Sequence, residues 1–96
     1  MSVCNISLQI IPLVNEEEVY PIVDRVIESI AASGVNYIVG PMETTMEGNL
    51  DELLEIVKEA QAVCLKAGAE RILSVIKIDY SAKGVTMDEK VGKYQS

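Results

Sequence analysis

Gly40-Pro41-Met42-Glu43-Thr44-Thr45-Met46-Glu47-Gly48-Asn49 is the stretch on which the fold turns. Pro41-Met42 after Gly40 signals a turn, and Glu43 to Glu47 alternates at period two, as a strand does. Asn49 then opens a helix, with Glu52 at the third helical position of a capping box. Thr45 and Glu47 share one face of the strand, so that face is hydroxyl and carboxylate in an otherwise aliphatic chain. Such a face either meets solvent or meets something it binds. Val75-Ile76-Lys77-Ile78-Asp79-Tyr80 repeats the alternation further on, again with a charged face.

The flanking elements follow. Residues 3–13 read as a first strand, with Cys4, Ile6, Leu8 and Ile10 on one face, and Pro12 ends it or sits on an edge. Val19, Ile22, Val23, Val26, Ile27 and Ile30 recur at helical spacing. A proline inside a helix costs about 3 kcal/mol, so Pro21 places this helix start near Glu18, and Gly34 caps its end. Asn36 to Gly40 is a second strand and Glu43 to Glu47 a third. Leu50, Leu53, Leu54, Val57, Ala60, Cys64 and Ala67 stripe a second helix that Gly68 stops. Glu70 to Tyr80 is the fourth strand. Thr86 and Glu89 cap a short C-terminal helix carrying Met87, Val91 and Tyr94, a stripe that reads as docking on a neighbouring surface. The order β-α-β-β-α-β with right-handed crossovers predicts an α+β, ferredoxin-like sandwich with antiparallel sheet order 4-1-3-2. Residues 1–96 form a single domain in this reading, with both long helices on one face and the other face open.

Composition narrows the chemistry. The core is built from Ile, Val, Leu and Ala, without Phe or Trp, and 15 acidic against 8 basic residues give a net charge of -7. That charge repels phosphate backbones and the chain offers few stacking platforms, so no nucleic-acid partner is expected. Histidine is absent, which removes the commonest general base and metal ligand, and no metal site is expected. Cys4 and Cys64 lie on apolar faces without ligand spacing and read as small buried hydrophobes. The N-terminal apolar run is broken by Asn5, Ser7 and Gln9, unlike a signal peptide, and no window is apolar for long enough to span a membrane. The expected location is the cytoplasm.

Parity then populates the open face. Ser7, Gln9, Ile11, Thr45, Glu47, Leu73, Val75, Lys77 and Asp79 fall there, while Ile6, Leu8, Ile10, Met46, Ile76 and Ile78 face the helices. The mixture can orient a small polar ligand or dock a second copy of the sheet. Tyr37 reads two ways, as core or interface filling and as an aromatic face for a ligand ring. Ile11, Leu73, Val75, Met87, Val91 and Tyr94 have no place in a single-core monomer, which predicts a homo-oligomer.

Ser7, Gly40-Pro41, Thr44-Thr45-Met46-Glu47-Gly48, Ile76-Lys77-Ile78-Asp79, Lys83-Gly84-Val85-Thr86 and Glu89-Lys90-Val91, in this order, resemble the small thiamine-binding, YkoF-like protein family over essentially the whole chain. The resemblance implies a ferredoxin-like protomer, homo-dimers or homo-tetramers joined through their sheets, and non-catalytic binding of thiamine or its hydroxymethylpyrimidine half, with no other cofactor. Pocket residues map to Ser7, Thr45, Glu47, Lys77 and Asp79, with Gln9 and Tyr37 as further candidates. Thiamine is a cation bearing an aminopyrimidine, which suits an acidic pocket. Two other classes stay open: a structural or regulatory oligomerisation module, and a small enzyme using Glu47 or Asp79 as general base.

Overall fold

The computed structural model describes residues 2–94, so the expected domain of 1–96 also takes in Met1, Gln95 and Ser96, which lie outside the described residues. Its elements run β1 (Cys4–Pro12), α1 (Glu16–Ala32), β2 (Asn36–Val39), β3 (Thr44–Gly48), α2 (Leu50–Lys66), β4 (Ile72–Asp79) and α3 (Met87–Val91), followed by a single 3-10 turn, Gly92–Tyr94. The four strands make one sheet in the order β2-β3-β1-β4. This is the predicted ferredoxin-like arrangement, and every pairing is antiparallel.

Local chemistry explains the boundaries. In the turn after β2 the Gly40 N–H donates to the Glu43 carbonyl at 2.8 Å, and a Cβ on Gly40 would lie 2.9 Å from that same oxygen. Only glycine fits so close an approach. The Asn49 side chain accepts the Glu52 N–H at 2.9 Å, as the capping signal predicts. Gly68 ends α2 at φ +107°, where the Gly68 N–H reaches the Leu65 carbonyl and the Ala69 N–H reaches that of Cys64. These two bonds are the Schellman pattern.

Two expectations are corrected. Helix α1 starts at Glu16, two residues before the expected start, which makes Pro21 its sixth residue. Pro21 is exposed, so the Glu17 carbonyl that loses its helical partner sits on the solvent side and the cost of the proline is reduced. Met87 of α3 needs no neighbouring molecule. It is buried against its own sheet, while Tyr94 stays exposed.

The core lies between the sheet and the α1/α2 layer. Cys4, Ile6, Leu8, Ile22, Val26, Ile30, Met46, Leu53, Val57, Ala60 and Cys64 are buried in one cluster. Their burial is the main stabilising term of the fold. Helix α1 lies against β1 and β2 and α2 against β1 and β3, while α2 reaches β4 through Gln61, which accepts from the Ser74 hydroxyl at 2.6 Å, and leaves Ile76 and Ile78 exposed. The opposite face is not left bare, because residues 85–91 fold back across it.

Candidate functional site

The register assembles the site. On β1, Asn5 stands between Glu47 of β3 and Asp79 of β4, and Ser7 stands between Thr45 and Lys77. Directly opposed residues share a face, so these six side chains form a polar patch on the face away from α1 and α2.

Helix α3 is held over this patch by polar contacts. The Glu47 carboxylate accepts the Met87 N–H through one oxygen and the Asn36 amide, at 3.1 Å, through the other. Lys90 donates to Asn5 Oδ1 at 2.7 Å and pairs with Asp79, while Asn5 Nδ2 donates to the Val85 carbonyl at 3.4 Å. Both ends of the buried Asn5 amide are therefore used by the returning segment. The Val85 N–H adds a bond to the Val3 carbonyl, and Thr86 caps α3 by accepting the Glu89 N–H, as its sequence signal predicts.

Between α3 and the sheet lies a cavity of about 430 Å3. Ser7, Thr45, Lys77 and Asp79 line it together with Asn5, Glu43, Ile38, Met87 and Lys90. Its volume falls in the range of small-ligand sites, about 300–1,000 Å3. Its four charged groups form two ion pairs, Lys77 with Glu43 at 3.1 Å and Lys90 with Asp79, so the lining carries no net charge. Ser7 is only 7% exposed, yet its hydroxyl has no hydrogen-bond partner among the described residues. A buried hydroxyl left unpaired costs about 1–3 kcal/mol, so a polar group entering the cavity gains by meeting it.

Four of the seven residues proposed from sequence thus converge on one cavity. Glu47 stands beside it, committed to Met87 and Asn36. Gln9 is on the same face but further along, opposite Val75, and borders a second groove beside α1 and the β2–β3 turn. Tyr37 takes the first of its two readings: β2–β3 pairing sets it opposite Met46, on the α1/α2 side, where it packs on the core rather than lining the cavity. Asn5, Glu43, Met87 and Lys90 were missed. The Met87/Val91 stripe behind a capping box was a signal for them, because a short amphipathic helix needs an apolar surface and the open sheet face was the uncovered one.

The remaining titratable feature is the thiol pair. Burial pushes both Cys4 and Cys64 above the ordinary thiol value, and the negative charge of Asp79 raises Cys4 further. Among the described residues no cluster of three or more His, Cys, Asp or Glu side chains could hold a metal, and no helix is long and apolar enough to cross a membrane.

Comparison with known proteins adds the following. A family model described as thiamine-binding protein matches residues 6–95. An uncharacterised UPF0045 protein of Clostridium perfringens is 59% identical over 95 residues, spanning 99% of this chain and all of its own length. Among solved structures, a Bacillus cereus domain of unknown function, DUF77, superposes with a TM-score of 0.91 at 48% identity, covering 98% of this chain and 91% of its own. A Thermotoga maritima protein described as a candidate for thiamine biosynthesis or salvage also gives 0.91, at 36% identity, covering 97% and 99%.

Proposed function

The chain belongs to the thiamine-binding protein family, and on that premise we propose that it binds thiamine, or the hydroxymethylpyrimidine half of thiamine, in the cavity under α3. The observation that carries the reading is the unpartnered, buried hydroxyl of Ser7 on the cavity floor. An aminopyrimidine presents ring nitrogens that accept a hydrogen bond and an exocyclic amine that donates. Ser7 and Thr45 can serve either group, and the Asp79 and Glu43 carboxylates can accept from the amine. The apolar portions of Ile38, Met87 and Val91 offer the ring a dry flank.

In this reading the ligand is bound and released unchanged. Glu47 and Asp79, the two candidate bases, are both engaged in fixing α3, and the cavity lining holds no serine or cysteine nucleophile beside a histidine. The working form is a cytoplasmic homo-oligomer, a dimer or a tetramer, without a further cofactor. Exposed Leu73 and Val75 on the face of β4 support association.

Calorimetric titration with thiamine, and separately with hydroxymethylpyrimidine, tests the proposal. Wild-type protein should bind at least one of them, and chromatography of the mixture should return it unaltered. Ser7→Ala, which removes one hydrogen bond of about 0.5–1.5 kcal/mol, should weaken binding roughly two- to tenfold. Absence of heat with both ligands, or equal affinity in Ser7→Ala, would overturn it.

A further inference from the structure

Strand β1 is covered by β4 along nearly its whole length, but by β3 along only part of it. Pairing with β4 runs from Asn5↔Asp79 to Pro12↔Ile72, whereas pairing with β3 stops at Leu8↔Thr44. The cause is local. The Gly40 N–H donates to the Glu43 carbonyl and closes the β2–β3 hairpin over a two-residue tip, Pro41-Met42. The chain turns back there before it pairs with Ile10, so the last part of a central strand keeps one open edge.

Strand geometry determines which groups face that gap. In an antiparallel sheet the N–H and C=O of one residue point to the same side, and successive residues point to opposite neighbours. The Leu13 N–H donates to the Arg71 carbonyl at 2.9 Å, in register with the β1–β4 pairing, so the odd-numbered residues of β1 bond to β4. The even-numbered ones face β3, where Cys4, Ile6 and Leu8 meet Gly48, Met46 and Thr44. Ile10 and Pro12 come next and meet no strand on that side. Pro12 has no N–H to satisfy, and its carbonyl accepts the Val14 N–H at 3.1 Å. Ile10 is different. Its N–H and C=O both face the gap, and neither has a partner there among the described residues.

The gap is the groove beside α1 and the hairpin tip, about 360 Å3 in volume. Gln9 and Ile11 line it from one face of β1 and Ile10 from the other, as happens where a groove meets the edge of a strand. Val19 and Val23 of α1 give it an apolar wall. Tyr20 on the helix and Met42 on the tip complete the lining and are 78% and 74% exposed. A phenol ring and a thioether held on two sides of a groove suit an aromatic ring between them.

Charge and hydrogen bonding then restrict the occupant. Glu16 lies three, four and seven residues before Val19, Tyr20 and Val23, on the same side of α1. Arg25, the one base of α1, is two residues from Val23 and turns away from the groove. Glu43 also belongs to the lining, its carboxylate held by Lys77. The groove therefore favours a cation. A backbone N–H and C=O side by side are matched by an acceptor and a donor side by side, which is what a carboxamide presents. An added peptide strand would use the same groups, but it needs a longer free edge than the single residue open here. A small molecule fits where a strand does not.

We infer that this groove is a second ligand site, which takes a small amide carrying an apolar ring and an ammonium group. The carboxamide pairs with the N–H and C=O of Ile10, the ring lies between Tyr20 and Met42 against Val19 and Val23, and the ammonium group faces Glu16. None of these residues lines the cavity under α3, so the site stands or falls separately from the thiamine reading.

L-Phenylalaninamide carries all three elements and is the probe for an amide-resolved NMR titration of the isotope-labelled full chain. The Ile10 N–H should shift downfield and saturate, with the amides of Tyr20, Val23 and Met42 moving in step and those of Ser7 and Lys77 staying still. L-Phenylalanine N,N-dimethylamide lacks the donor that the Ile10 carbonyl needs and should bind roughly two- to tenfold more weakly. N-Acetyl-L-phenylalaninamide lacks the cation and should bind about twofold more weakly, and Glu16→Gln should weaken the probe itself to the same degree. An Ile10 N–H that ignores the probe, or equal affinity of the dimethylamide, overturns the inference. So does an Ile10 N–H already protected from hydrogen exchange in the ligand-free protein, because the edge is then covered by something else, a second copy of the chain included. Saturating thiamine separates the two sites. Loss of the probe shifts in its presence would make the groove a thiamine site and overturn the inference. Probe shifts that persist while thiamine leaves Ser7 and Lys77 unmoved would overturn the thiamine reading and leave the groove standing.

Discussion

The two faces of β1 are buried to nearly the same degree by opposite means. Cys4, Ile6 and Leu8 lie under α1 and α2 in a mainly aliphatic cluster and themselves need no hydrogen bond from their side chains. Asn5 and Ser7, on the alternate positions, are buried beneath α3 among charged groups. The first kind of burial stabilises the fold through removal of apolar area from water. The second carries a desolvation cost that must be offset group by group. Asn5 is fully served by Lys90 and Val85, whereas Ser7 is not served. One side of the strand thus does the folding, and the other holds a buried hydroxyl with no partner among the described residues.

The sharpest way to break this division is a cavity on the aliphatic side. Leu53 is completely buried, and Leu53→Ala should cost about 2–5 kcal/mol in urea unfolding. Ligand affinity of the remaining folded protein should stay within about twofold of wild type, the tolerance expected for separate sites. Loss of binding in step with loss of stability would show that the two faces act as one unit.

A smaller effect is expected where the polar face holds α3. Glu47→Ala removes a charged acceptor from the Met87 N–H, a bond worth about 1.5–3 kcal/mol. If α3 is an integral part of the fold, the melting temperature should fall by several degrees, since about 1 kcal/mol shifts it by roughly 4–8 °C in a domain this size. If α3 opens independently, the loss should appear as faster hydrogen exchange at residues 85–91 with little change in global melting. Either result should come with weaker thiamine binding, because the cavity loses a wall. Unchanged exchange, melting and affinity would contradict the role given to Glu47.

Legibility from sequence divides along the same line. Helix caps at Asn49 and Thr86 and the glycine stops at Gly34 and Gly68 were readable because each is an interaction within a few residues along the chain. Strand parity was readable too, so Ser7, Thr45, Lys77 and Asp79 could be brought together before any coordinates. The roof of the cavity was not. Lys90 meets Asn5 across 85 residues and Glu47 meets Met87 across 40, and no local rule links either pair. Tyr37 stayed open between two readings because an isolated aromatic has no parity of its own until the register opposes it to Met46. The start of α1 slipped because the rule against proline inside a helix counts the lost bond and takes no account of solvent reaching the exposed Glu17 carbonyl.

The smallest expected effect crosses between the two faces through Cys4. Both thiols are pushed above the ordinary thiol value by burial, and Cys4 also feels Asp79, which belongs to the polar side. In the unfolded chain each thiol ionises near its ordinary value, while in the folded protein it stays protonated to higher pH. Stability from this source is therefore complete below about pH 8.5 and is lost as pH rises through the unfolded and towards the folded value. Each thiol should contribute up to about 1.4 kcal/mol of lost stability for each pH unit above its unfolded value. Urea unfolding between pH 8 and 10.5 should show this slope, and Cys64→Ala and Cys4→Ala should each flatten it. Asp79→Asn separates the two thiols. It removes the carboxylate that disfavours the Cys4 thiolate, so Cys4 should react with a thiol reagent at a lower pH than in wild type while Cys64 does not change. An equal response of both thiols would place the effect in general loosening of the fold, and no response would mean that the sheet insulates its two faces electrostatically.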